Sequence, residues 1–303
     1  LGLIAAAFIP ALVEFQLGDD ATALAVLAGY GLLILIALPG IGLWTLTQVP
    51  EPPLAQSAGR TPFLRSLKLM WSNGLFRVVV VIELVITGGE SFRNALSLFF
   101  MQDVIGIPRA GQLYVIYFVT GLLAIPGWDF LARRYGKHRS LASAMILVSF
   151  VSLAIFALPP GSETAFKWLF AAKGLCFGAF AYLPIAMMAD VIDIDTARSR
   201  DPRTGSYFAV HGFMTKCAAS FAGLSLPLLA LTGYDATPGA ENGADALLWL
   251  SVLYAIVPTV LFLLALYLCW TWPLTAERHQ RFRERIARRD ARAALAAEGA
   301  QPL

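Results

Sequence analysis

Charge is scarce in this sequence: Asp, Glu, Lys and Arg make up 14% of its 303 residues, against about 25% in a soluble domain. That shortage excludes an ordinary water-soluble core and surface, and no nucleic-acid partner is expected. Cysteine is also sparse. Cys176, Cys217 and Cys269 each fall inside an apolar run, without metal-ligand spacing, which excludes a disulfide framework or zinc site and makes them small packing residues. With only three histidines, no nucleophile constellation and no glycine phosphate loop, enzyme chemistry and a bound cofactor are not expected. Leu1 stands where an initiator Met would be, and no basic segment precedes the first apolar run. The opening segment therefore does not read as a signal peptide, and the expectation is a chain that starts partway through a longer protein.

What the sequence does hold is a series of apolar runs, roughly 18 to 27 residues long in most cases and suited to crossing a ~30 Å hydrocarbon core as helices. No period-two alternation supports a barrel. Eight spans are predicted, near Leu3–Leu17, Ala21–Thr47, Leu75–Met101, Ala110–Leu131, Leu141–Leu158, Trp168–Ala189, Tyr207–Leu231 and Ala246–Trp272. Eighteen of the 23 Lys and Arg lie in every second connection, while the intervening loops hold only Arg109 and Lys167 and carry acids such as Asp19, Asp20, Glu163 and Asp235. By the positive-inside rule both ends of the chain are cytoplasmic, and bacterial inner-membrane placement is expected. Residues 49–74, with Pro50, Pro52 and Pro53, read as a central cytoplasmic loop. It separates two helices in residues 1–48 from six in residues 75–272, and residues 273–303 form a basic cytoplasmic tail.

Ionisable side chains inside spans are costly, at ~2.5–3.5 kcal/mol each on insertion scales, and normally face a bundle interior or an aqueous path. The second, fifth and eighth spans have none in their interiors. In the third, Glu83, Thr87, Glu90, Asn94 and Ser97 recur at helical intervals, predicting one polar stripe along a cavity, with Arg93 placed to pair with Glu90. The sixth carries Lys173 near its outer end, where it is expected to snorkel to the interface, Asp190 at its inner end, and Phe177, Phe180 and Tyr182 between. The seventh carries His211, Lys216 and Ser220 among small residues; Lys216 is deep enough to require a polar or acidic partner on another helix.

Read together, these segments resemble the glycoside-pentoside-hexuronide:cation symporters, the melibiose-permease-like branch of the major facilitator superfamily. The stretch "LPIAMMADVID", a basic loop, then "GSYFAVHGFMTKCAASFAG" and "LTGY" matches that family's Ala-Asp-Val/Ile-Val/Ile-Asp motif with a following lysine, here Ala189 to Asp193 and Lys216. "LFFMQDVIG", "AGQLYVIYFVTGLLAIPGW", "RRYGKHR" and "PLTAERH" add to it. The resemblance implies an all-α major facilitator fold, with the eight spans corresponding to helices five to twelve of twelve. It further implies alternating access about a midplane site and symport of a sugar, glycoside or uronide with Na⁺ or H⁺. Lys216 would lie near solute and ion, Asp190 and Asp193 beside Arg198, Arg200 and Arg203 would form a cytoplasmic gate, and the cation-binding carboxylates would sit mainly in helices before this chain's first.

The sequence departs from the family where Arg133-Arg134 replace the usual Asp-Arg, with Asp129 a possible substitute, and where Ala181, next to Tyr182, stands at the sugar-stacking aromatic position. The residues expected to line the solute path are Lys216, His211, Glu90, Asn94, Tyr182 and Glu83. Partners are a small solute and membrane lipids, with a monomer expected. Two alternatives stand beside the sugar symporter: a lipid or amphiphile carrier on the same fold, suggested by the missing aromatic, and a non-transporting membrane receptor or scaffold.

Overall fold

Helices account for all regular structure in the computed structural model, which describes residues 23–48, 63–107, 110–199, 203–237 and 239–272. They are α1 (Ala23–Gln48), α2 (Phe63–Ser72), α3 (Gly74–Phe99), α4 (Gly111–Tyr135), α5 (Lys137–Phe156), α6 (Glu163–Ser199), α7 (Thr204–Ala219), α8 (Ala222–Ala230), α9 (Ala244–Ser251) and α10 (Val257–Trp270). In hydrocarbon every backbone group must be satisfied within its own segment, which is why the apolar runs fold this way. By length and composition, six stretches among the described residues can cross a membrane: α1 from Leu27, α4, α5, α6 as far as Thr196, α7 with α8, and α9 through α10.

These six match six of the eight predicted spans. The predicted first span lies outside the described residues. The third is present as α3, extended by a π-helical turn at Phe100–Ile105, but Arg77, Glu83, Glu90 and Arg93 make it too charged to count by composition alone. Asn73 starts α3: its side chain accepts from the Leu75 N–H at 3.1 Å, satisfying an otherwise orphan donor. The predicted central loop requires a correction, because its last third is helical. Phe63, Leu67, Met70 and Trp71 recur at helical spacing opposite Arg65 and Lys68, and the resulting α2 buries Met70 while both cations stay exposed.

Within the bundle α3 touches α6, α7, α8 and α10, α4 packs chiefly on α6, and α5 lies against α6 and α10. The side chains of α1 are mostly exposed. Two apolar cores stack along the bundle. One gathers Phe76, Ile82, Met145, Leu183, Met188 and Phe262 towards the basic loops. The other gathers Phe100, Tyr117, Phe166, Phe170 and Tyr254 towards the opposite side, where the Phe100 and Tyr254 rings stack at 4.3 Å.

Two glycine contacts set the geometry around α4. Gly136, with φ +95°, is the whole connection between α4 and α5, and a Cβ there would lie 3.3 Å from the His138 ring. Since that backbone region is open almost only to glycine, Gly136→Ala is expected to cost about 1–3 kcal/mol, read as a lowered melting temperature in detergent. Where α4 crosses α6, Gly121 faces Gly174 and Gly178, and the helices meet backbone to backbone.

Candidate functional site

The polar residues of the sequence gather at the level where the two apolar cores meet. Glu90, one edge of which stays open, is ion-paired through Oε1 to Arg93, whose side chain is only 1% exposed. Arg93 Nη1 also donates to the Ser152 hydroxyl at 2.8 Å, and its guanidinium lies 5.1 Å from the Phe262 ring centre. Behind them is Lys173, 2% exposed. Its Nζ is 3.4 Å from Asn94 Oδ1, 3.9 Å from Glu90 Oε2, and 5.1 and 5.2 Å from the Tyr117 and Phe170 ring centres.

This placement corrects the expectation that Lys173 snorkels to the interface. The apolar run begins at Trp168, but the helix begins at Glu163. Lys173 is therefore ten residues into α6, about 15 Å at 1.5 Å per residue, beyond the reach of its stem. The start of the charged helix, rather than of the apolar run, is the signal that locates it.

Of the predicted stripe on α3, Glu83, Thr87 and Glu90 are half-buried and Asn94 is exposed, whereas Ser97 is fully buried and turned into the core. Glu83 joins α3 to α7: its Oε2 lies 2.6 Å from His211 Nε2, and its Oε1 accepts from the Thr215 hydroxyl at 3.4 Å. Lys216 follows directly on α7. It is exposed, and among the described residues its side chain has neither ion pair nor hydrogen bond, so the partner expected from another helix is not found among them. It shares the open face of α7 with Phe208, Ala209, Gly212 and Phe213. Beside that face an apolar groove of about 560 Å³ runs between α2 and α7, lined by Leu67, Trp71, Ala209, Val210, Phe213 and Met214.

The helix ends beside the basic loops carry a separate set of contacts. Tyr182 donates its hydroxyl to Asp129 at 2.8 Å, and Asp129 also takes Arg133 at 2.8 Å, so the tyrosine beside the predicted stacking position is tied to the acid considered as a substitute. Asp190 is bound by Lys137 at 2.6 Å, Asp195 lies 3.7 Å from Arg203, and Asp193 is exposed. Arg200 and the side chain of Arg198 lie outside the described residues. Sequence reasoning missed Lys137 as a partner of Asp190, since only the fold brings the start of α5 to the inner end of α6. At the opposite end of the bundle the Tyr234 hydroxyl bonds Asp103, clasping the end of α3 to the loop after α8.

The bundle thus holds buried ionic groups at one level and an open, lysine-bearing face on α7. Residues 1–276 match the model of the family described as MFS/sugar transport protein. The chain belongs to that family. Among curated proteins it is similar to the sodium-dependent lysophosphatidylcholine symporter 1-A of Danio rerio, at 24% identity over 73% of this chain and 42% of that protein. The 1-B symporter of the same fish is 24% identical over 56% of this chain and 32% of its own length. The sphingosine-1-phosphate transporter MFSD2B of Mus musculus is 27% identical over 54% of this chain and 33% of its own. The chain thus aligns with less than half of each relative.

Proposed function

We propose that this chain is the C-terminal part of a cation-coupled carrier whose cargo is an amphiphile with a charged headgroup and a single long apolar chain. The observation that carries the reading is the apolar groove between α2 and α7, which begins one helical turn from the exposed ammonium of Lys216. A groove of about 560 Å³ without charged lining residues suits hydrocarbon better than a hydroxylated ring, whose oxygens would need partners there. Relatives named for lysophosphatidylcholine and sphingosine-1-phosphate support the same choice. On this reading Lys216 receives the headgroup's anionic part, and the pair of His211 and Glu83 lines the path next to it. Coupling to Na⁺ or H⁺, the plasma membrane, and a cytoplasmic gate at Asp190, Asp193, Arg198 and Arg200 belong to the same proposal.

A sugar, glycoside or uronide is the second reading, favoured by the motif from Ala189 to Asp193 with Lys216. Cells making the complete protein distinguish the two. Radiolabelled lysophosphatidylcholine is expected to accumulate under an inward Na⁺ or H⁺ gradient, and Trp71→Glu or Phe213→Glu, which put charge into the groove, are expected to remove most of that uptake. Gradient-driven sugar uptake indifferent to both substitutions would reverse the assignment.

A further inference from the structure

The ionic cluster between α3 and α6 has an unusual charge count: among the described residues, two fully buried cations face one carboxylate. Arg93 and Glu90 already form a neutral pair, and Arg93 has a second partner in Ser152. Lys173 is the extra charge. Its surroundings are those of a small monovalent cation, with the long Glu90 ion pair as one contact among several. The ammonium sits between two aromatic rings, at 5.1 and 5.2 Å from their centres, with an amide oxygen at 3.4 Å and a carboxylate oxygen at 3.9 Å. Glu90 Oε2, the oxygen that faces it, has no hydrogen-bond donor of its own. Ring faces and oxygens disposed about a cation at such distances attract it by charge and quadrupole without requiring directed bonds.

We infer that Lys173 is a tethered internal cation: its ammonium fills a monovalent-cation site built from Glu90, Asn94, Tyr117 and Phe170 inside the C-terminal bundle. The stem enters from α6, the two oxygens belong to α3, Tyr117 comes from α4, and Phe170 lies one turn earlier on α6. Among the described residues, the other charged or titratable groups near this level include Arg93 on α3, Tyr114 on α4, Cys176 on α6 and Tyr254 in the π-helical turn Val252–Ile256. Because the ion is covalently held, it cannot leave as the carrier cycles. It fixes Glu90 and Asn94, which form part of the open polar edge of α3, from behind. This role does not depend on which cargo the carrier takes.

Cutting the lysine back tests the inference, since it should leave a vacant site that a free cation of the right size can enter. In the complete protein, purified in detergent, Lys173→Ala is expected to melt several degrees below the wild type, and millimolar methylammonium or K⁺ is expected to recover part of that loss. Choline, too large for the space, is expected to do nothing, and neither cation should shift the wild type or Lys173→Met, whose side chain fills the hole. Equal cation effects on wild type and Lys173→Ala, or none on either, would overturn the inference. So would a methylamine effect that grows with pH in step with the neutral amine, because the site would then take an uncharged group. Should Lys173→Ala fail to accumulate, Lys173→Gln serves instead: it keeps most of the volume and the contact with Asn94 but not the charge, and stability equal to wild type would exclude a cation requirement.

Discussion

Gly174→Ala, the addition of one methyl group, is expected to prevent accumulation of folded protein or to lower its stability by at least about 3 kcal/mol. A Cβ at Gly174 would lie 2.1 Å from Thr120 Oγ1 and 2.5 Å from the Tyr117 carbonyl oxygen, and one at Gly178 would lie 2.3 Å from the Gly121 carbonyl oxygen. Two of these three obstacles are backbone, which cannot rotate away, so the helices would have to separate along their whole contact. In lipid, where helices gain nothing from leaving water, such close approach is a main source of association. Gly178→Ala is expected to behave alike. Gly74→Ala, at the exposed start of α3 where the nearest atom to a new Cβ is 3.8 Å away, is expected to be neutral. Monodisperse yield in detergent and melting temperature separate these outcomes.

Glu90→Gln is expected to be the most damaging single change within the ionic cluster, at about 3–5 kcal/mol, because it leaves two buried cations without a counter-charge. Removing either cation has a different consequence. Arg93→Met leaves Glu90 with Lys173, and Lys173→Met leaves Glu90 with Arg93, so each retains one neutral pair. Both are expected to cost less than Glu90→Gln. A ranking in which Arg93→Met proved the worst would mean that the hydrogen bond to Ser152 and the contact with Phe262 outweigh the charge balance.

Much of the architecture was legible because lipid imposes so few alternatives. The spans containing α4, α5, α7 and α10 follow directly from apolar runs, and the alternation of basic and acidic loops orders them. Hydropathy failed where polar and apolar residues share one helix. It placed the start of α6 at Trp168 rather than Glu163 and so brought Lys173 too close to the interface. It also read Phe63 to Ser72 as loop, because a narrow apolar stripe averages out against Arg65, Ser66 and Lys68. At the site, helical spacing placed Glu83, Glu90 and Asn94 on one side of α3 and paired Glu90 with Arg93. Partners on other helices were beyond it: nothing in the spacing of α3 identifies His211, Ser152 or Lys173 as neighbours, since those contacts depend on how the bundle closes.

The one-residue connection at Gly136 has a mechanical consequence. Lys137, the residue immediately after it, grips both the Asp190 carboxylate and the Ala186 carbonyl of α6, the latter at 2.9 Å. With no slack between the two helices, any tilt of the C-terminal end of α4 is handed through a stiff elbow to α5 and, one side chain later, to the C-terminal part of α6. Three helices are thereby geared together at this end of the bundle, and a displacement of one cannot be absorbed by a loop.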